Sequence, residues 1–198
     1  MLVADLIFYI KHRAAHEARG LWIFHSVHHS SNEFNLSTAI RLPWFGSLID
    51  TLFYVPALWL GLTPVELLLG KVLVLVYQYW IHTEKVGKLG WFDRVFNSPS
   101  NHRVHHASNP EYIDRNHGGI LILWDKVFGT YTPEKDSVKI VYGTTKPHWT
   151  YNPILLNLGE PWWLVRDMWH AASLAEALRY LFKSPAFKPE PKEVAAHA

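Results

Sequence analysis

The chain has 198 residues, enough for one domain with a sizeable core and too few for a second domain to be expected. Its formal net charge of +2, with no dense lysine or arginine tract, lacks the electrostatic footprint of nucleic-acid binding, so no nucleic acid is expected as a partner. Cys 0 excludes disulfides, thiolate zinc sites and iron–sulfur clusters, whereas 13 histidines against 17 acids require an explanation.

In chain order, Met1 to Ile10 is apolar except for Asp5 and runs directly into charged helix-forming sequence. It reads as the end of a helix; with no basic segment before it and no small-residue cleavage site after it, a signal peptide is not expected. His12 and His16 follow four residues apart, and His25, His28 and His29 form H-x-x-H-H. Leu48 to Leu60 is then apolar apart from Asp50 and Thr51, and Val65 to Trp80 apart from Glu66, Lys71 and Gln78. Between them Gly61-Leu62-Thr63-Pro64 is a turn whose proline opens the next helix. Each arm is shorter than the ~20 residues of an isolated span, so the pair is read as a helical hairpin whose tip reaches the far leaflet. Two buried helices of a soluble bundle are the alternative. Lys11, Arg13, Arg19, Arg41, Lys85, Lys88, Arg94, Arg103 and Arg115 all lie outside the hairpin beside the histidines, and the hairpin carries only Lys71. By the positive-inside rule this predicts an integral membrane protein with its histidine boxes on the cytosolic side.

His82 closes the second arm, and His102, His105 and His106 repeat H-x-x-H-H after turn signals at Gly87, Gly90 and Ser98-Pro99-Ser100. Gly118 to Tyr131 reads as a short buried or interfacial helix. Glu160 to Phe182 reads as one amphipathic helix, with Pro161 near its start and Trp162, Trp163 and Trp169 as anchors, lying on the bilayer or packed on the domain. Residues 1–183 are expected to form one membrane domain and 184–198, rich in Pro and Lys, a mobile tail. The expected fold class is all-α, an integral-membrane helical bundle with a transmembrane hairpin and a cytosolic histidine-rich helical cap.

On a helix, positions i, i+3 and i+4 share one face, so each box is expected to present its imidazoles to a common point, as a metal ion demands. H-x-x-H-H should arise by chance roughly 0.06 times in a chain of this histidine content, so two copies carry information. His117, His148, His170 and His197 lack such company and are expected outside the site, although His117 follows the last box closely enough to reach it. Imidazole suits zinc, copper, iron and nickel alike. Eight clustered histidines plus His82 exceed the four ligands of one tetrahedral zinc, and two metals fit the count. Arg13 after His12 rules out H-E-x-x-H, and haem would leave most of the histidines unexplained.

The ordered boxes His12-x-x-x-His16, His25-x-x-His28-His29 and His102-x-x-His105-His106, with a hairpin between the second and third, resemble the fatty acid hydroxylase and sterol desaturase superfamily. These are integral-membrane enzymes with histidine-coordinated di-metal centres, and the resemblance runs from about Asp5 to Tyr131. Phe34-Asn35-Leu36-Ser37-Thr38-Ala39, Tyr77 through Glu84, and Ile113-Asp114-Arg115-Asn116 through Thr130 resemble its tetrahydrobiopterin-dependent, ether-lipid-cleaving branch. Asn101 departs from that branch, which has a histidine there, and so does His117, where it has an aromatic residue. Family members usually carry further spans upstream. The resemblance implies metal ligands at His12, His16, His25, His28, His29, His82, His102, His105 and His106. It implies two iron ions, replaceable by zinc in a preparation, and a lipid substrate hydroxylated with dioxygen. Glu84 and Asn116 are the candidate catalytic residues, Glu84 as a contact to substrate or ligand, Asn116 with Asp114 orienting imidazoles through their distal nitrogens. No nicotinamide or flavin fingerprint occurs, so electrons are expected from tetrahydrobiopterin or from a separate electron-donor protein. A desaturase or sterol oxidase, and a metal-binding membrane protein without turnover, are the competing readings.

Overall fold

The computed structural model describes residues 1–145 and 150–189. The described residues form helices joined by loops, with isolated bridges at Phe96–Leu121 and Ala107–Tyr142 as the only extended pairing. In order these are α1 (Leu2–Glu17), α2 (Arg19–Trp22), α3 (Ser26–His29), α4 (Leu36–Ala39), α5 (Gly46–Tyr54), α6 (Pro64–Ile81), α7 (Pro99–His105), α8 (Leu123–Val127), α9 (Pro153–Trp169) and α10 (Leu174–Phe182).

The hairpin forms where the apolar arms lie. α5 continues as a 3-10 turn over Val55–Leu60, and Gly61 at φ +84° supplies the left-handed residue that stops it. Thr63 then caps α6: its hydroxyl accepts from the Glu66 amide, the Glu66 carboxylate accepts from the Thr63 amide, and Pro64 takes the first helical position. α6 is long and apolar enough to cross a membrane, and only 22% of it is buried. Its outward face and that of α5 expose Leu48, Leu52, Leu68, Leu69, Val72, Leu73 and Val76. Apolar surface on this scale needs a covering medium or partner.

α1 lies along the inner face of the hairpin. Ala4 packs with Tyr54, Ala57 and Leu67, and Phe8 with Val74 and Ile120. The helices approach so closely that a Cβ at Gly70 would stand 2.6 Å from that of Ala4. Asp5, fully buried on α1, accepts hydrogen bonds from the backbone amides of Ile120 and Leu121 and from the Trp124 indole. The carboxylate thereby ties the start of the chain to the segment leading into α8. Arg103 on α7 makes the other long-range clamp, pairing bidentately with Glu134 and donating to the carbonyls of Thr83 and Val86. Arg103→Met should cost about 3–5 kcal/mol, because it leaves a largely buried carboxylate unpaired. Thermal unfolding in detergent reads the loss, and a wild-type midpoint would show that the clamp contributes nothing.

Three sequence expectations are corrected. Gly118 to Tyr131 is mostly loop, and only α8 is helical, because Asp125 diverts the amides of His117 and Gly118 and the hydroxyl of Thr130 to its own side chain. The segment read as one amphipathic helix is two. α9 starts earlier, where Asn152 caps the amides of Ile154 and Leu155, and takes Pro161 into its interior. α10 is opened separately by Ser173, whose side chain accepts from the Glu176 amide. Ser98-Pro99 is the N-cap and first residue of α7, so what read as a turn signal opens the helix carrying the third box. Residues 184–189 of the expected tail are described, with Pro185 and Lys188 lining a cavity, and residues 190–198 lie outside the described residues.

Candidate metal centre

All nine imidazoles named from the sequence converge, but not box by box. His12, His16, His25, His29 and His105 bring one nitrogen each to within 4.8 Å of one another, and His28, His82, His102 and His106 form a second such group. Each H-x-x-H-H box is therefore divided. Its first and last histidines go to one group, and the middle one crosses to the other: His28 leaves His25 and His29, and His105 leaves His102 and His106. The common point expected for each box is replaced by two points, each built from both boxes. The reason is local. On α7, His102 and His106 stand about 40° apart around the axis and His105 about 100° from His106; the second box divides alike, with His25 at the N-cap of the single-turn α3. His12 and His16 enter from α1, and His82 from the C-cap of α6.

Eight of the nine side chains are buried and His25 is half-buried. Burial holds His25, His28, His29, His102, His105 and His106 far below the usual imidazole range, with repulsion from neighbouring histidines adding to it. His82 is pushed down to about 4 by burial, against its bond to the Gln78 carbonyl. Neutral imidazole is the form that ligates a metal.

Backbone partners set the ring direction. The Nδ1–H of His12 donates to the His117 carbonyl at 2.8 Å, that of His82 to Gln78 at 2.7 Å and that of His105 to Arg115 at 2.9 Å. His16 Nδ1 lies 3.4 Å from an Asp114 carboxylate oxygen. A proton on Nδ1 leaves the Nε2 lone pair aimed inward. The Nε2 atoms then crowd together. His12 and His25 lie 2.9 Å apart, His25 and His29 3.0 Å, His29 and His105 3.2 Å, His28 and His82 3.2 Å, and His82 and His102 2.9 Å. Metal–nitrogen bonds of about 2.1 Å set at right angles put neighbouring nitrogens about 3.0 Å apart. The Nε2 atoms of His16 and His106 are buried without any hydrogen-bond partner. Nε2 lone pairs that face one another at such separations repel wherever no proton bridges them, and a cation at each focus resolves that. The residues present fit two metal ions.

The two groups differ in access. A cavity of about 500 Å³ between α1, α5 and α6 reaches His12, His25, His28 and His82, and a second of about 380 Å³ reaches His16, His29 and His105 beside Trp22 and Asp114. Over the second group lies Phe34, with its ring 5.0 Å from His106 and 5.4 Å from His82; Tyr142 stacks on Phe34 and donates to Glu84. Glu84 is thus exposed and reaches the imidazoles only through two aromatic rings. Asn116 is fully buried at φ +58°, and its amide is engaged by the Asn101 and Thr132 backbone, bonding no imidazole; Asp114 alone takes the orienting position. Asn101 itself donates to the carbonyls of Asp93 and Phe96 and belongs to the loop framework.

Sequence reasoning set aside His117, which the structure buries completely, 5.1 Å ring to ring from His16, with Nδ1 3.7 Å from Asp125. Its place just after Asp114-Arg115-Asn116 was the signal available. Phe34 and Asp125 had no signal in spacing. His170 is exposed at the end of α9, and His148 and His197 lie outside the described residues.

Comparison with known proteins accords with this geometry. The chain is 37% identical over 188 residues to an alkylglycerol monooxygenase of Xenopus tropicalis and 40% to that of Danio rerio, covering 95% of this chain and 42% of each relative. It is 32% identical over 137 residues to the ornithine lipid hydroxylase OlsE of Rhizobium tropici, covering 66% of this chain and 40% of that protein. The chain thus spans about two fifths of the length of these relatives. No solved structure matches. The fatty acid hydroxylase profile matches residues 1–130, the stretch that holds all nine clustered histidines, and the chain belongs to the fatty acid hydroxylase family.

Proposed function

We propose that this chain is the catalytic part of an integral-membrane di-iron oxygenase that hydroxylates the alkyl chain of a lipid, with its histidine groups on the cytosolic side. The observation that carries the reading is the pair of buried, neutral histidine groups opening on a cavity walled by the hairpin. His12, His16, His25, His29 and His105 would hold one iron, and His28, His82, His102 and His106 the other. When bound, the iron pair supplies dioxygen activation and the oxidising power to take hydrogen from an alkyl carbon.

The protein's own part is positioning and exclusion. Lipid enters between α1, α5 and α6 without leaving an apolar medium, and Phe8, Phe24, Leu42, Leu75 and Val76 line its route to the imidazoles. Phe34 and Tyr142 keep water from the second group. The carbonyls of His117, Gln78 and Arg115 hold three imidazoles in the ligating tautomer. The boxes lie near the cytosolic interface, so the carbon oxidised is one close to the head group.

The names of the relatives support an ether lipid as substrate. Dioxygen with two electrons and two protons from a reduced pterin inserts one oxygen atom at the carbon bonded to the ether oxygen and yields one water. The resulting hemiacetal collapses to an aldehyde and a free alcohol. Purified protein supplied with an alkylglycerol, dioxygen and tetrahydrobiopterin should release fatty aldehyde, read by mass spectrometry. No aldehyde, alongside hydroxylation of a sterol or acyl lipid, would overturn the ether substrate. No oxidation of any lipid by iron-loaded protein, with a pterin or an electron-donor protein, would overturn the oxygenase.

A further inference from the structure

Three ionisable residues from three helices meet in the wall of the hairpin cavity: Lys11 of α1, Asp50 of α5 and Lys71 of α6. The Lys11 ammonium lies 2.9 Å from one Asp50 oxygen, while that of Lys71 stands 3.8 Å from the other, beyond hydrogen-bond reach. Their side chains are only 13%, 24% and 18% exposed. Two ammonium groups against one carboxylate leave a positive charge over, and the charges acting on Lys11 are Asp50 and Lys71 themselves. Phe8 lies 4.6 Å from the Lys11 ammonium and Tyr54 6.0 Å from that of Lys71, so aromatic faces offset part of the excess.

An ion pair serving packing alone would need one lysine. Lys71 is the surplus, a cation in the apolar middle of a helix whose other polar side chains, Glu66 and Gln78, lie toward its ends, flanked by Gly70 and Val72 and with its hydrogen-bond donors unspent. Charges placed among membrane helices are costly and mark the path of a polar group or ion. The same cavity is lined by His12, His25, His28 and His82, so whatever the lysines hold lies within reach of the imidazoles.

We propose that Lys11, Asp50 and Lys71 form a head-group subsite that takes the oxyanion of an anionic lipid, a phosphate or a carboxylate, and so sets the substrate class. The proposal rests on reading this cavity as the lipid site. The oxyanion accepts from the free N–H groups of Lys71 and from Lys11, which Asp50 holds in place. Two positive charges then face two negative ones, which no neutral alkylglycerol achieves. Anchoring at this point leaves the carbons next to the head group to reach the imidazoles.

The test uses the full chain in phosphatidylcholine nanodiscs, with hexadecylglycerol, hexadecylglycerol phosphate and palmitate competing against a fluorescent alkyl probe. At least one anionic lipid should bind about tenfold more tightly than the neutral one, and whether phosphate or carboxylate wins identifies the source of the oxyanion. Lys71→Met should erase the preference, with Lys71→Gln as a second variant if Met disturbs folding. Asp50→Asn should strengthen anion binding. Equal affinities in the wild type, or a preference that survives both Lys71 variants, would overturn the subsite. Product analysis of iron-loaded protein with the same lipids, dioxygen and a reduced pterin or electron-donor protein separates the two readings: preference without oxidation sinks the oxygenase and supports the subsite, and oxidation without preference does the reverse.

Discussion

His105→Ala should lower the metal content by about one equivalent per chain and abolish lipid oxidation, and His28→Ala should do the same from the other side. The expectation follows from how the boxes are shared. His105 sits on the helix of His102 and His106 but belongs with His12, His16, His25 and His29. Its loss therefore weakens the group of five, while the two remaining histidines of its own segment, His102 and His106, with His28 and His82 keep the second group intact. His28 is the mirror case. Elemental analysis of protein purified in parallel reads the stoichiometry, and product formation reads the activity. Full loading and full activity in both variants would remove the assignment of these groups as metal sites.

Asp125→Ala should weaken metal binding at the first group about 10- to 100-fold and leave the second near wild type. Asp125 touches no clustered imidazole. Its carboxylate, fully buried, accepts from the amides of His117 and Gly118 and from the Thr130 hydroxyl, at 2.6 to 2.7 Å. This fixes the peptide whose carbonyl, at His117, takes the Nδ1 proton of His12. Removing the carboxylate leaves two buried amides unsatisfied, each costing about 1–3 kcal/mol, while the Thr130 hydroxyl keeps its bond to Tyr9, and frees the loop to turn that carbonyl away. Competition with a chelator of known affinity measures the loss. Unchanged affinity at both groups would show that the loop does not govern the His12 ring.

The histidine composition of the centre was legible because spacing carries it: three boxes and His82 name all nine members. Their partition was not. The middle histidine of each box is turned about 100° from the last, and which imidazoles it then meets depends on how α1, α3, α6 and α7 pack. The hairpin was legible through its apolar arms and Gly61, and Thr63 with Glu66 gave its second arm a recognisable start. Asp5 read only as an interruption in an apolar run, since its partners lie 115 to 119 residues away. Asn116 misled for the opposite reason. Its chemistry suits an imidazole partner, but its left-handed backbone turns the amide toward Asn101 and Thr132. Pro161 read as a helix start because proline favours that position, yet Asn152 and Pro153 supply a stronger one eight residues earlier.

The exchange of one histidine between boxes also gives the centre the topology of an interlocked cross-link. An ion in the first group would close loops between His12 and His25, 13 residues apart, and between His29 and His105, 76 apart; an ion in the second would close one of 54 between His28 and His82. Because α3 and α7 each feed both ions, neither helix can leave without breaking both closures. With both ions bound, the chain entropy removed by the two closures would be held in common, and ion binding would become part of the free energy of folding. A segment carrying only one of the two H-x-x-H-H boxes would leave both groups incomplete.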